Sequence, residues 1–289
     1  MAGNDARWVL AVHGGAKEIA STEAEAHRAG IRQALSAGRE VLARGGSALD
    51  AVELSVRALE DDPTFNAGHG SALNRTGEVE MDAAIMDGRD LSIGAVGALG
   101  GVRNPVAVAR LLLAEPTVLI VGEGARAFAQ ASGAELCEPE AMVTAAQRRE
   151  LAACDTVGAV ALDRHGNLAA ATSTGGLVGV PAGRMGDSAL PGCGYYADNA
   201  KGAVALSGHG EQIMRLLVAT RIIEALDHRP PTEAVERGLA GLPSLGGDGG
   251  GIAIAPGGEV GWWHNSPHFA VGVAVSDADG CVWLSKDER

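Results

Sequence analysis

The sequence is poor in aromatic residues, which make up only 3% of its 289 positions although 46% are hydrophobic. Its core must therefore rely on Ala, Val, Leu and Ile, which favours close packing of sheets and helices over bulky anchors. Glycine is abundant, at 42 residues, and follows no collagen-like period. So many glycines predict numerous tight turns and places where the backbone approaches itself or a ligand.

Basic residues are also scarce, because 23 Lys and Arg stand against 36 Asp and Glu and leave a net charge of −13. Without a basic stripe to neutralise phosphates, a nucleic-acid partner is not expected. No apolar run approaches the ~18 residues that a membrane helix requires, so no membrane partner is expected either. The first residues, 1–8, contain no basic region followed by an apolar core, and we expect no signal peptide.

The four cysteines lie far apart in the sequence, at Cys137, Cys154, Cys193 and Cys281, with no Cys-x-x-Cys pair. This spacing is typical of reduced, partly buried thiols and of a cytoplasmic protein. The same compartment is therefore expected here.

Predicted strands and helices alternate through the first half of the chain. Residues 7–13 predict a strand that stops at Gly14-Gly15. A second helix is predicted to open with Ser47 as N-cap and Asp50 three residues later. The further predictions are helices over 22–44, after Asn104-Pro105, and over 125–132, strands over 79–86 and 91–98, and a short helix over 144–153.

The clearest pattern is a pair of strands, 156–162 and 168–174, joined by a glycine-containing turn. Both strands are apolar at almost every position, so both faces are expected to be covered. A sheet hidden on both sides indicates a second sheet on one face and helices outside. No repeat and no long linker divides the chain, and residues 1–289 are expected to form a single domain.

The open end of this hairpin gathers residues that can carry chemistry. Thr156 follows Asp155 and begins the first strand, while Thr174 ends the second, so the two are expected to lie close together. Taken alone, a threonine that begins a strand is ordinary. Two glycine-rich segments follow, 183–188 and 207–211, and each adds polar side chains.

Both glycine-rich segments also have simpler interpretations. Arg184 and Asp187 are compatible with an ordinary surface ion pair of little energetic weight. Residues 207–211 resemble a phosphate-binding turn at a helix N-terminus. However, this turn has no lysine to reach phosphates and Glu211 adds negative charge, so nucleotide binding is disfavoured.

In order along the chain, ten segments resemble the plant-type asparaginase and isoaspartyl peptidase family of N-terminal-nucleophile hydrolases. The resemblance spans almost the whole chain. The segments are His13-Gly-Gly-Ala, Phe65-Asn66-Ala-Gly-His-Gly-Ser, Met81-Asp82-Ala-Ala-Ile-Met-Asp-Gly, Gly94-Ala-Val-Gly, Val102-Arg-Asn-Pro, Thr156-Val-Gly-Ala-Val-Ala-Leu-Asp, Thr172-Ser-Thr-Gly-Gly, Gly183-Arg-Met-Gly-Asp-Ser, Tyr196-Ala-Asp-Asn and Gly208-His-Gly-Glu.

The resemblance implies an α+β fold, an αββα four-layer sandwich. It also implies self-cleavage between Asp155 and Thr156 into an α subunit, 1–155, and a β subunit, 156–289, and a dimer of such αβ units. The implied reaction is hydrolysis of β-aspartyl amide bonds in L-asparagine and β-aspartyl dipeptides through an acyl-enzyme, with no organic cofactor.

The resemblance assigns roles to individual residues. Thr156 matches the nucleophile and Thr174 the second threonine, which hydrogen-bonds it, while Asn66 lies on a loop near the nucleophile. Arg184 matches the residue that binds the substrate α-carboxylate and Asp187 the one that accepts its α-ammonium. Ser207, in place of the usual threonine, and Gly208 match the oxyanion site, and Gly208 and Gly210 also line the pocket. In the family, backbone carbonyls of one loop hold a structural sodium ion. The residues that match this loop are Leu59, Glu60, Asp62, Phe65, Ala67 and His69.

The chemistry of threonine agrees with this resemblance. A threonine hydroxyl is a poor nucleophile unless a base takes its proton. Cleavage before Thr156 frees an α-amine whose reference pKa, ~7.7–8.0, suits that task near neutral pH. Two alternatives stay open: a glycosylasparaginase-type amidase acting on asparagine that carries a sugar, and an uncleaved, inactive relative that acts as a binding protein.

Overall fold

The computed structural model describes residues 7–143, 156–276 and 278–288. Its helices are α1 Ala24–Ala43, α2 Ala48–Glu60, α3 Pro105–Leu112, α4 Gly122–Ala131, α5 Gly210–Leu216, α6 Val218–Leu226 and α7 Pro231–Leu239. Its strands are β1 Val9–Lys17, β2 Met81–Asp87, β3 Ser92–Leu99, β4 Leu119–Val121, β5 Val157–Leu162, β6 Leu168–Thr174, β7 Tyr195–Asp198, β8 Gly202–Gly208, β9 Gly249–Ile254, β10 Val260–His264, β11 His268–Val275 and β12 Cys281–Trp283. None of the helices in these ranges is long and apolar enough to cross a membrane.

The strands form two sheets. The larger has eight strands in the order β12-β11-β1-β5-β6-β2-β3-β4, and the smaller has four in the order β10-β9-β8-β7. Neighbouring strands are antiparallel except for β3 and β4, which pair in parallel. The hairpin of β5 and β6 is inserted between β1 and β2, so strands from before and after Thr156 alternate in the larger sheet.

The two sheets pack face to face and helices cover both outer faces. Along β1, Leu10 and Val12 lie in a core shared with α1 and α2, whereas Val9 and Ala11 lie in the core between the sheets. Because successive side chains of a strand point to opposite faces, a strand covered on both sides must be apolar throughout. A third core, which includes Val204 of β8, joins the smaller sheet to α6 and α7. The predicted αββα sandwich is confirmed.

Most predicted elements are found with small changes at their ends. Ser47 caps α2, because its hydroxyl accepts a 3.1 Å hydrogen bond from the Asp50 N–H. The prediction that β1 ends at Gly14-Gly15 is wrong: β1 continues to Lys17 with a register shift between His13 and Ala16. Pairing with β11 resumes after that shift, so the long-range ladder overrides the local glycine signal. The helix predicted over 144–153 lies outside the described residues.

Candidate active site

The structure brings the predicted nucleophile and substrate-binding residues together at the open end of the β5–β6 hairpin. Thr156 directly precedes β5, Thr174 is the last residue of β6, and Val157 pairs with Ser173 between them. Asp155 lies outside the described residues. A small cavity at this point is lined by Thr156, Thr174, Gly176, Leu177, Arg184, Asp187, Gly208 and Gly210.

Two serine hydroxyls hold Thr156, which is only 5% exposed. Its Oγ1 lies 3.1 Å from Oγ of Ser188, and either hydroxyl can donate in that hydrogen bond. Its backbone nitrogen donates to Oγ of Ser207 at 3.1 Å, and Ser207 also accepts from the Ala16 N–H at 2.9 Å. Since a serine hydroxyl accepts two hydrogen bonds and donates one, the Ser207 proton is left for an acceptor. Ser207 thus touches the nitrogen of the predicted nucleophile.

Asn66 fixes the turn that follows Thr174. Its side-chain amide donates to the Gly176 carbonyl at 2.7 Å, and its backbone carbonyl accepts from the Gly175 N–H at 2.8 Å. The Gly176 N–H in turn donates to Oγ1 of Thr174 at 3.0 Å. Asn66 is 2% exposed, so it lies behind the cavity and shapes its wall. This position is consistent with the loop role that the sequence assigned to it.

Arg184 forms its ion pair with Glu211, which the sequence did not predict. Nε and Nη2 of Arg184 donate to the same carboxylate oxygen of Glu211, at 3.0 and 2.8 Å. The Arg184 side chain is 13% exposed and the Glu211 side chain 41% exposed. A guanidinium has five N–H donors, so the edge formed by Nη1 and Nη2 keeps donors for a second carboxylate.

Asp187 is buried in the cavity wall, with 3% of its surface exposed, which rules out the surface ion pair considered from the sequence. Within the described residues, its Oδ2 atom has no hydrogen-bond partner. Burial raises the pKa of Asp187 to about 7. A Cβ at Gly210 would lie 2.6 Å from Asp187 Oδ1, so only glycine leaves room for a group to approach that carboxyl. A buried carboxyl oxygen without a partner favours a ligand that brings donors.

Comparison with known proteins identifies the family of this site. The asparaginase family model matches residues 6–155 and 146–283. This chain belongs to the asparaginase family. It is 44% identical over 268 residues to the isoaspartyl peptidase/L-asparaginase of Xenopus laevis, and the matched stretch covers 87% of each chain. The Homo sapiens protein of that name is 43% identical over 270 residues, 87% of this chain and 88% of its own. The chain is therefore a hydrolase of amide bonds.

Several residues of this asparaginase site were not assigned a role from the sequence. Ser188 contacts the Thr156 hydroxyl, and its own carbonyl accepts from the Thr172 hydroxyl at 2.7 Å. Asp82 on β2 accepts the Gly186 N–H at 2.7 Å and the Ala98 N–H at 2.9 Å, so it holds the loop that carries Arg184 and Asp187. Only the tertiary fold reveals these roles, because Thr156 and Ser188 are 32 positions apart and Asp82 and Gly186 are 104 positions apart.

The end of α2 and the loop that follows it contain the residues to which the resemblance assigns the sodium ion. A Cβ at Gly68 would collide with the Glu60 carbonyl oxygen, and a Cβ at Gly70 with the Phe65 carbonyl oxygen. The glycines therefore let the loop fold back onto its own carbonyl groups. Oxygen donors of this kind fit a hard cation. In the described ranges, no group of three or more His, Cys, Asp or Glu residues is placed to hold a metal ion.

Proposed function

We propose that this chain is an isoaspartyl peptidase/L-asparaginase that uses Thr156 as its nucleophile after cleavage of the Asp155–Thr156 bond. One observation carries the proposal: the hydroxyl and the nitrogen of Thr156 are both held, at 3.1 Å each, beside a cavity that also contains Arg184 and Asp187. The relatives from Xenopus laevis, Mus musculus and Homo sapiens all carry that name, which favours it over a glycosylasparaginase.

Cleavage would activate the enzyme by supplying its base. In the intact chain the Thr156 nitrogen is an amide and cannot take up a proton. The new α-amine would have a pKa near ~7.7–8.0 before any effect of the site, close to working pH. The Ser207 hydroxyl, which now accepts from this nitrogen at 3.1 Å, would keep the amine next to the Thr156 hydroxyl. A base held in that way is suited to general catalysis.

The hydrolysis would proceed in two steps that share one oxyanion site. The Thr156 oxygen attacks the side-chain carbonyl carbon of the substrate, and its proton passes to the α-amine. The Ser207 hydroxyl and the Gly208 N–H stabilise the negative oxygen, where one donor contributes ~3 kcal/mol. The C–N bond then breaks, and ammonia or an amino acid leaves with the proton. Water adds to the Thr156 ester in the second step and releases aspartate.

Arg184 and Asp187 would recognise the head group of the substrate. The Nη1–Nη2 edge of Arg184 is suited to two parallel hydrogen bonds with an α-carboxylate. The α-ammonium would donate to the Asp187 carboxylate, whose Oδ1 atom lies beside Gly210 of the cavity wall and whose Oδ2 atom has no hydrogen-bond partner among the described residues. Asp187 would then bind as a carboxylate, because a cation beside it lowers its raised pKa.

The remaining features implied by the family stay predictions. A sodium ion would be held by the carbonyls of Leu59, Glu60, Asp62, Phe65, Ala67 and His69 and would stiffen the loop that leads to Asn66. The dimer of αβ units and the cytoplasmic location are likewise expected. No organic cofactor enters the proposed chemistry.

The proposal is tested by intact-mass analysis combined with substrate assays. Purified protein should contain a fragment that begins with Thr156, while Thr156→Ala should remain one intact and inactive chain. The cut enzyme should hydrolyse L-asparagine and β-aspartyl-leucine faster than asparagine that carries a sugar. Uncut protein with full activity would refute the mechanism. A single intact chain that binds β-aspartyl-leucine without hydrolysing it would favour the binding-protein alternative.

A further inference from the structure

We infer that His209 is a positioning residue, which fixes the backbone at Gly208 through a two-way link to Asp248; this inference rests on the oxyanion role proposed for Gly208. His209 lies between β8 and α5, in the glycine-rich turn that contains Ser207 and Gly208. The mechanism above gives its side chain no role.

The link consists of hydrogen bonds in both directions between two loops. The His209 N–H donates to the Asp248 carbonyl at 3.1 Å. In return, the Asp248 N–H donates to Nδ1 of the His209 ring at 3.2 Å. The residue after His209 begins α5, and the His209 carbonyl accepts from the N–H groups of Gln212 and Ile213, both at 3.0 Å. The ring therefore connects the start of α5 to the segment that leads into β9.

The Asp248 peptide lies directly against Gly208. Gly208 has φ +147°, and a Cβ there would collide with the Asp248 carbonyl oxygen and lie 2.6 Å from Cα of Gly249. Gly208 also pairs with Gly249 across β8 and β9. Because the backbones touch with no side chain between them, a shift of Asp248 must move Gly208. The His209 ring thus restrains the proposed oxyanion site from behind.

The hydrogen bond from Asp248 requires one form of the imidazole. The proposed link requires an Nδ1 without a proton, which accepts the Asp248 N–H, and therefore a ring proton on Nε2. Two acceptors compete for a proton on Nδ1: the Asp248 carboxylate at 3.2 Å and its carbonyl at 3.4 Å. Glu211, in the first turn of α5, also interacts electrostatically with His209, and its own carboxylate is paired with Arg184.

Two amide substitutions separate the positioning role from bulk or stability. In His209→Asn, a side-chain oxygen can occupy the place of Nδ1, whereas His209→Gln carries its amide out to the place of Nε2. We expect His209→Asn to keep kcat within about twofold of wild type. His209→Gln and His209→Ala should lower kcat about tenfold to a hundredfold, the usual effect of misplacing a catalytic group by a fraction of an ångström to an ångström. KM for β-aspartyl-leucine should stay within about twofold, since Arg184 and Asp187 are untouched.

The assays use each variant at a known concentration of chains with a free Thr156 amino terminus, with Ser207→Ala measured beside them. Nitrogen NMR of wild-type protein should show Nδ1 of His209 unprotonated. Equal losses in His209→Asn and His209→Gln, a protonated Nδ1, or a change in KM alone would overturn the inference. If Ser207→Ala and the His209 variants are all fully active, the oxyanion assignment itself fails. If only Ser207→Ala is impaired, that assignment stands and the role of His209 is refuted.

Discussion

Asp187→Asn is expected to stabilise the protein at alkaline pH and to abolish its use of the substrate ammonium group. Asp187 is 3% exposed, and burial raises its pKa from the ordinary 3.8 to about 7. The Arg184 guanidinium lowers this pKa, but by less than burial raises it. An uncharged amide of the same size removes the cost of ionising a buried carboxyl.

The sign of the pH dependence follows from the two pKa values. Below pH ~4 the carboxyl is protonated in both the folded and the unfolded chain, and its contribution to stability is at its most favourable. As the pH rises to about 7, the Asp187 carboxyl ionises in the unfolded chain before it ionises in the folded one, so its contribution to stability is lost. A shift of ~3 pKa units at ~1.4 kcal/mol each gives a cost of ~4 kcal/mol above neutral pH. Relaxation around the carboxylate will reduce this figure.

Thermal unfolding measures the difference directly. Asp187→Asn and its parent should both carry Thr156→Ala, so that each is a single chain. Their melting temperatures should be compared at pH 5 and pH 8. Asp187→Asn should melt up to ~7 °C higher than its parent at pH 8, for an unfolding entropy of ~0.6 kcal/mol/K, and much less at pH 5. The exposed Asp279→Asn serves as control and should change neither melt. Equal effects of Asp187→Asn at both pH values would refute the reasoning.

Three further predictions concern single side chains. Ser207→Ala should lower the turnover of cut enzyme ~10²–10³-fold while Ser207→Thr is tolerated, and steady-state assays that show no loss would remove Ser207 from the site. Arg184→Lys should recover only part of the kcat/KM that Arg184→Ala loses on β-aspartyl-leucine, because one ammonium cannot reproduce two parallel hydrogen bonds. A kcat/KM for Arg184→Lys equal to that of the wild type would contradict the proposed binding of the α-carboxylate by Arg184. Leu217→Gly should stabilise the protein by ~1 kcal/mol and so raise its melting temperature, because Leu217 has φ +51°, a conformation that disfavours a side chain, and is 52% exposed. A lower melting temperature would contradict this.

The sequence predicted the parts of the site that are set by local structure. Thr156 and Thr174 meet because a short turn joins two adjacent strands, and that geometry follows from strand patterning alone. The four layers were also implied, because strands that are apolar on both faces need two coverings.

The contacts that complete the site depend on segments that meet only after folding. Nothing in the local pattern indicates that Arg184 pairs with Glu211, or that the Ser188 hydroxyl contacts Thr156. Asp82 binds the Gly186 N–H from 104 positions away in the chain. The local pattern likewise failed at Gly14-Gly15, where β11 carries the ladder onward.

The order of strands in the larger sheet has a consequence for the proposed cut before Thr156. β5 and β6 would belong to the later fragment, yet they lie between β1 and β2 of the earlier one, and β11 flanks β1 on its other side. Three seams of backbone hydrogen bonds would therefore hold the fragments together without any peptide bond. Neither fragment can be separated without opening the sheet along all three seams and exposing six unpaired strand edges, two at each seam. The cut is thus expected to be invisible to gel filtration, and refolding from separated fragments becomes a second-order reaction that depends on concentration.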